Sequence, residues 1–182
     1  AWCWSAGTGA GSANTDGSIN TTSTSVNTTS KFSISKYTGT GGIPVTIGHG
    51  LGVVPTFIII KKTDGDARNW AVYHQAIGNT HGLILNTNSA KVDNADLWND
   101  TTPTSTLITF SNANETNQGS AVHVAYVFSD VQGFSKFGTY VGDGNIDGPF
   151  VYTGFKPAFV LVKASTTDNS WHLQDNKRSP FN

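Results

Sequence analysis

A chain of 182 residues has room for one ordinary domain, or for a small domain and part of a second. Charged residues make up 13% of it, about half the usual share of roughly 25%, and a net charge of −1 leaves no electrostatic footprint for nucleic acid. No apolar run reaches the ~20 residues of a membrane span, and the lack of Met with a single glutamate, Glu115, argues against a helical bundle.

What remains suits strands. Ser, Thr, Asn and Gly supply roughly four-tenths of the chain, while 5 Trp, 5 Tyr and 10 Phe suffice for a core. Cys3 is the sole cysteine, so neither an internal disulfide nor a cysteine-based zinc site is available. Ala1-Trp2-Cys3-Trp4 has the form of a strand end. Residues 6–30, rich in Gly, Ser and Thr, read as linker with one extended stretch near Ser18-Ile19-Asn20. The segment from Phe32 to Tyr37 alternates imperfectly, as half-buried strands do. Gly48-His49-Gly50-Leu51-Gly52 looks like a phosphate cradle, but Pro55 and a strand follow it rather than a helix, so it reads as a tight β-turn. Phe57-Ile58-Ile59-Ile60 is a continuous apolar run, the mark of a central strand, and Lys61-Lys62-Thr63-Asp64-Gly65-Asp66 ends it in a turn. Trp70-Ala71-Val72-Tyr73, Leu83-Ile84-Leu85, Leu107-Ile108-Thr109-Phe110 and the segment from Val122 to Phe128 supply further strands. Helical periodicity is absent. The expected fold is all-β, an antiparallel β-sandwich of jelly-roll-like kind.

The chain also resembles itself. Phe32 to Gly41, with Tyr37-Thr38-Gly39-Thr40-Gly41, is answered later by Phe134 to Gly144, with Tyr140-Val141-Gly142-Asp143-Gly144. Gly52-Val53-Val54-Pro55-Thr56-Phe57 is answered by Gly154-Phe155-Lys156-Pro157-Ala158-Phe159, and Trp70-Ala71-Val72-Tyr73-His74 by Trp171-His172-Leu173-Gln174-Asp175. The landmarks keep their order, which predicts tandem modules. Residues 1–31 are then the last strand of a preceding module plus linker, 32–131 a complete module, and 132–182 the first half of a second. An incomplete sandwich exposes edges that need a cover.

Candidate chemistry is sparse. Asp143-Gly144-Asn145-Ile146-Asp147-Gly148 matches the first half of a calcium loop, with Asp143, Asn145 and Asp147 as ligands. The twelfth position is Gly154, where a bidentate Glu is needed, so a turn is the expected role and calcium the alternative. No other cofactor is indicated. The five histidines lack metal spacing, no G-x-S-x-G elbow occurs, and no carboxyl pair stands out for glycoside hydrolysis. The chain therefore reads as non-enzymatic, with no catalytic residue. Trp98, in Asp96-Leu97-Trp98-Asn99-Asp100, lies in a polar stretch: it either offers a sugar platform or pins the loop to the sheet.

The strings Gly133-Phe134-Ser135-Lys136-Phe137-Gly138-Thr139-Tyr140 and Asp147-Gly148-Pro149-Phe150-Val151-Tyr152-Thr153-Gly154-Phe155-Lys156-Pro157-Ala158-Phe159 resemble a repeat module of tailed-phage virion proteins of marine origin. Asn14 to Ile19, Gly48 to Gly52, and Trp171 through Arg178-Ser179-Pro180-Phe181-Asn182 extend the likeness along nearly the whole chain. The resemblance implies a virion surface component such as a tail fibre, spike or capsid decoration, with other virion proteins as partners. The half module that needs a cover points to self-association (a trimer would suit a fibre), and polar loops with Trp98 offer a contact for host surface glycans. Neither nucleic acid nor membrane insertion is implied. A bacterial adhesin or filament subunit is the competing class, and a polysaccharide-degrading enzyme the second.

Overall fold

The run Phe57-Ile58-Ile59-Ile60 lies near the centre of a seven-stranded antiparallel sheet in the computed structural model, which describes residues 3–178. The strands are β1 (Ser23–Asn27), β2 (Phe32–Thr38), β4 (Phe57–Lys62), β5 (Ala71–His74), β6 (His81–Ile84), β7 (Val92–Asp93) and β9 (Val122–Phe128), in the order β1-β2-β9-β4-β5-β6-β7. β3 (Val45–Gly48) and β8 (Leu107–Phe110) form a separate two-stranded ladder, and β10 (Phe159–Val162) pairs with β11 (His172–Asp175) in another. Among the described residues two single α-helical turns, α1 (Ala95–Trp98) and α2 (Asn114–Asn117), and one 3-10 turn (Gln75–Ile77) interrupt the strands. Four residues are too few to leave a periodic trace in sequence.

Strand alternation decides which side chains meet. On one face of the sheet Tyr37, Ile58, Ile60, Ala71, Tyr73, Ala125 and Val127 point inward, and Val45, Ile47, Ile108 and Phe110 of β3 and β8 close over them with Leu97 and Trp98 of α1. Aromatic stacking runs through this core: the Tyr37 ring lies 5.6 Å from Phe110 and 5.2 Å from His123. The opposite face carries a second cluster of Phe57, Val72 and Leu83, flanked by Phe128, Phe137 and Trp171.

The expected strands at 32–37, 57–60, 70–73, 83–85, 107–110 and 122–128 each have an observed counterpart in β2, β4, β5, β6, β8 and β9. The linker assigned to residues 6–30 does not hold throughout. Residues 23–27 form β1, paired with β2 from Ser23↔Lys36 to Asn27↔Phe32, and Ile19 is buried beside Ile47. The reason is chemical. β1 buries hydroxyls instead of apolar area: Thr24 Oγ1 lies 2.8 Å from Thr21 Oγ1 and 2.9 Å from Ser35 Oγ, all three residues buried. Of the strand end proposed for residues 1–4, Ala1 and Trp2 lie outside the described residues, and Cys3 and Trp4 are not in a strand.

A buried amide ties the second layer down. Asn117 Oδ1 accepts from the backbone of Thr40 (2.9 Å) and Gly41 (3.3 Å), while its Nδ2 donates to the carbonyls of Gly42 (2.9 Å) and Ser111 (2.7 Å). Asn117→Ala removes the side-chain partner of Thr40 N and of the Gly42 and Ser111 carbonyls, while Gly41 N keeps the Asn117 main-chain carbonyl at 3.0 Å. The expected cost is about 3–5 kcal/mol, measured by urea unfolding; a loss under about 1 kcal/mol means that water reaches the site.

Candidate functional site

The residues that sequence reasoning singled out do not come together. Trp98 is 1% exposed, seated in α1 against Tyr73 at 5.7 Å and Phe110 at 6.2 Å, so neither ring face is open to a sugar. The polar residues around it misled: Asn94 caps α1 by accepting from Asp96 N (3.0 Å), and Asn99 ends it in the left-handed conformation at φ 51°. Trp98 pins the loop to the sheet. Trp98→Ala is therefore expected to lower unfolding stability by about 3–5 kcal/mol, read by thermal or urea melts.

The segment holding Asp143, Asn145 and Asp147 is fully exposed. Asp143 turns its carboxylate onto its neighbour, accepting from the backbone N (3.0 Å) and side-chain Nδ2 (2.9 Å) of Asn145, and this amide holds the Asp143 carboxyl below its usual range. That is the turn geometry of an Asx motif. Among the described residues no three His, Cys, Asp or Glu side chains gather where they could hold a metal.

The histidines divide by burial. His49 is wholly buried: its Nδ1 accepts from Leu51 N at 3.2 Å, so Nε2 carries the proton towards the Thr104 carbonyl at 3.2 Å. Burial pushes its pKa down against the pull of the Thr104 hydrogen bond and Asp16. Burial likewise lowers His123, whose ring nitrogens face the Ala121 and Asn114 carbonyls, with Lys62 lowering it further and Asp64 opposing. His74 is lowered by burial against Asp130. With folded values below the ordinary value of about 6.5, the unfolded chain takes up protons first, so stability is full above that pH and is lost as pH falls towards the folded values. The melting temperature is expected to drop between about pH 7 and pH 5, less steeply for His49→Gln; an unchanged slope removes His49 as a contributor.

The built polar arrangement lies instead where the C-terminal hairpin meets the sheet. Residues 163–171, joining β10 to β11, grip residues 84–91. Lys163 Nζ donates to the Asn88 carbonyl (3.3 Å), Lys91 N to the Ser165 carbonyl (2.9 Å), Ala90 N to Asp168 Oδ1 (2.8 Å) and Trp171 Nε1 to the Ile84 carbonyl (2.9 Å). Aromatic rings back these contacts. Phe137 stacks on Phe57 at 5.3 Å, and Trp4 sets its edge against Phe159 at 5.3 Å and Phe128 at 6.3 Å. No residue in this interface was expected to bind anything from sequence, although the alignment of the two tryptophans contained the signal.

A shallow open depression on the same outer face is lined by Lys61, Thr63, Asp64, Asp66, Trp70 and Tyr126, among others. Lys61 Nζ lies 5.7 Å above the Trp70 ring, which stacks 6.5 Å from Tyr126. Beneath it the buried Lys62 ammonium donates to Asp66 Oδ1 and to Gln118 Oε1 (2.8 Å). This lysine, with Arg68 2.6 Å from Asp66 Oδ2, holds the Asp66 carboxyl below its usual range.

These features define an all-β protein with a large antiparallel sheet, on whose outer face the C-terminal hairpin packs. The whole chain, residues 1–182, matches the family described as "Domain of unknown function (DUF7483)", and the protein belongs to that family. No curated protein and no solved structure matches it.

Proposed function

We propose that the chain is a non-enzymatic structural component of a phage particle surface, built of tandem β-sandwich modules that pack on one another. One observation carries the modular part: the two hairpins share a register. β4 and β5 pair Phe57↔His74, Ile58↔Tyr73, Ile59↔Val72 and Ile60↔Ala71. β10 and β11 pair Phe159↔Asp175, Val160↔Gln174, Leu161↔Leu173 and Val162↔His172, which are the residues that the aligned sequences equate. The connecting loops differ by one residue, yet the pairing is preserved. Glycine geometry agrees. Gly41 and its counterpart Gly144 have φ of 70° and 75°, and Gly52 and Gly154 have 70° and 83°, turns that favour a residue without Cβ.

The β3–β8 ladder closing over one face of the large sheet supports the sandwich reading. The place of work, a virion surface among other virion proteins, rests on the resemblance of residues 133–159 to phage modules. Low charge and the packing of the C-terminal hairpin on the large sheet support a scaffold reading.

Antibody raised against the recombinant chain is expected to decorate purified virus particles from the lysate that yields the gene, seen by immunogold microscopy. Decoration of bacterial surface filaments with bare particles favours the adhesin class, and release of sugar ends from host polysaccharide by the pure chain favours the enzyme class.

A further inference from the structure

The loop that grips residues 84–91 has a counterpart whose backbone is tied to its own sheet, with Thr63 N donating to the Val122 carbonyl (2.8 Å) and Trp70 N to Asn86 Oδ1 (2.9 Å), but whose matching side chains face an open depression. Aligned through the shared register, Lys163, Ser165, Asp168 and Trp171 answer to Lys61, Thr63, Asp66 and Trp70, in the same order. All four members of the first set touch the body of the molecule: the lysine by Nζ, the serine by its carbonyl, the aspartate by Oδ1 and the tryptophan by Nε1. The second set lines the open depression on the outer face, with Thr63 and Asp66 exposed and Trp70 half-buried.

We propose that residues 61–70 are a docking loop for a second copy of this module, engaging its residues 84–91 in the way that residues 163–171 engage them within this chain. The proposal rests on the tandem reading above and gives it a contact rule: each module's hairpin loop seats on the segment following β6 of its neighbour. The chemistry of the seat identifies the occupant. The seat is made of main-chain groups at 84, 88, 90 and 91 and an apolar patch around Val72 and Leu83, and a second copy presents the same groups. Trp70 supplies the indole for the second copy's Ile84 carbonyl, and Lys61 the ammonium for its Asn88 carbonyl, exchanging the Arg68 carbonyl to which Lys61 Nζ donates in the single chain. Asp66 differs from Asp168 in already holding Lys62 and Arg68, but a carboxylate has lone pairs for a further N–H.

Such a contact joins unlike surfaces, so it propagates head to tail rather than closing on a pair. Within the chain β10 and β11 already occupy the seat. Opening the seat should therefore uncover association that needs Trp70.

The test uses the full chain. In Trp171→Ala the amides of β10 and β11 are expected to lose hydrogen-exchange protection, and sedimentation velocity should show association at least tenfold tighter than in the parent. Adding Trp70→Ala should return it to the parent's level. Where Trp171→Ala fails to fold, Asp168→Ala, which removes an exposed carboxylate from Ala90 N, opens the same seat. Lost protection without tighter association, or tight association that survives Trp70→Ala, overturns the docking loop and leaves the modular reading standing. Unchanged protection of β10 and β11 overturns both.

Discussion

Strand β9 holds the molecule together. It is the one strand that pairs with both β2 and β4, from Phe32↔Phe128 to Thr38↔Val122 on one side and from Phe57↔Phe128 to Lys62↔His123 on the other. The sheet's two halves join only through it. Its inward side chains, His123, Ala125 and Val127, are buried, and small Ala125 lies between two bulkier neighbours where the β3–β8 layer closes down. Because β9 follows β2 and β4 by most of the module's length, the sheet is completed by a long-range pairing, a topology that folds slowly but fixes register strongly.

The same dependence explains the contrast between the hairpins. Ile58 and Ile60 of β4 are wholly buried between β9, β5 and the β3–β8 layer, whereas Val160, the counterpart of Ile58, is 41% exposed and Val162, that of Ile60, is half-buried. Phe150 and Tyr152, which lie before β10 as β3 lies before β4, are 89% and 79% exposed. One sequence pattern thus meets two fates. What separates them is the company of β8 and β9, whose strands supply the layer and the central pairing in the first case. Strand propensity alone does not make a sheet when the apolar face has nothing to lie against.

Legibility in the sequence follows from where stabilisation comes from. Strands that bury hydrocarbon announced themselves: the run at 57–60 and the alternation at 122–128 fall on β4 and β9. β1 stayed hidden because its stabilisation is the hydroxyl relay through Thr21, Thr24 and Ser35, and a Ser/Thr-rich stretch reads as solvated linker until its partner strand is known. β3 was masked by glycines: Gly48 is held against Asn14, which leaves no room for a Cβ, so the residue is selected by a close approach that no local pattern reveals. Trp98 was ambiguous for the converse reason, since its Asn and Asp neighbours cap a helical turn and look like ligand-binding residues. The docking residues were legible in principle. The tryptophans had been aligned, but extending that alignment by chemistry through Lys, Ser or Thr, and Asp was the step that required seeing what Trp171 touches.

Charge poverty and modular packing are linked. With few ions available, the chain pairs much of its buried polar surface through amides and hydroxyls, as Asn117 does for four backbone partners and Tyr37 does by donating to the Thr116 carbonyl at 2.6 Å. The interface made by residues 163–171 uses the same means: three of its four hydrogen bonds end on a main-chain carbonyl, and the fourth runs from a main-chain N–H to Asp168. Main-chain acceptors are insensitive to side-chain drift, so a seat built on them persists while loops vary, provided that the backbone path after β6 is kept. A lysine and a tryptophan on one loop are then enough to read it, because the indole N–H fixes direction while its ring covers apolar area. Repetition of that loop chemistry at 61–70, whose side chains line an open depression, is what the proposed joining of copies rests on.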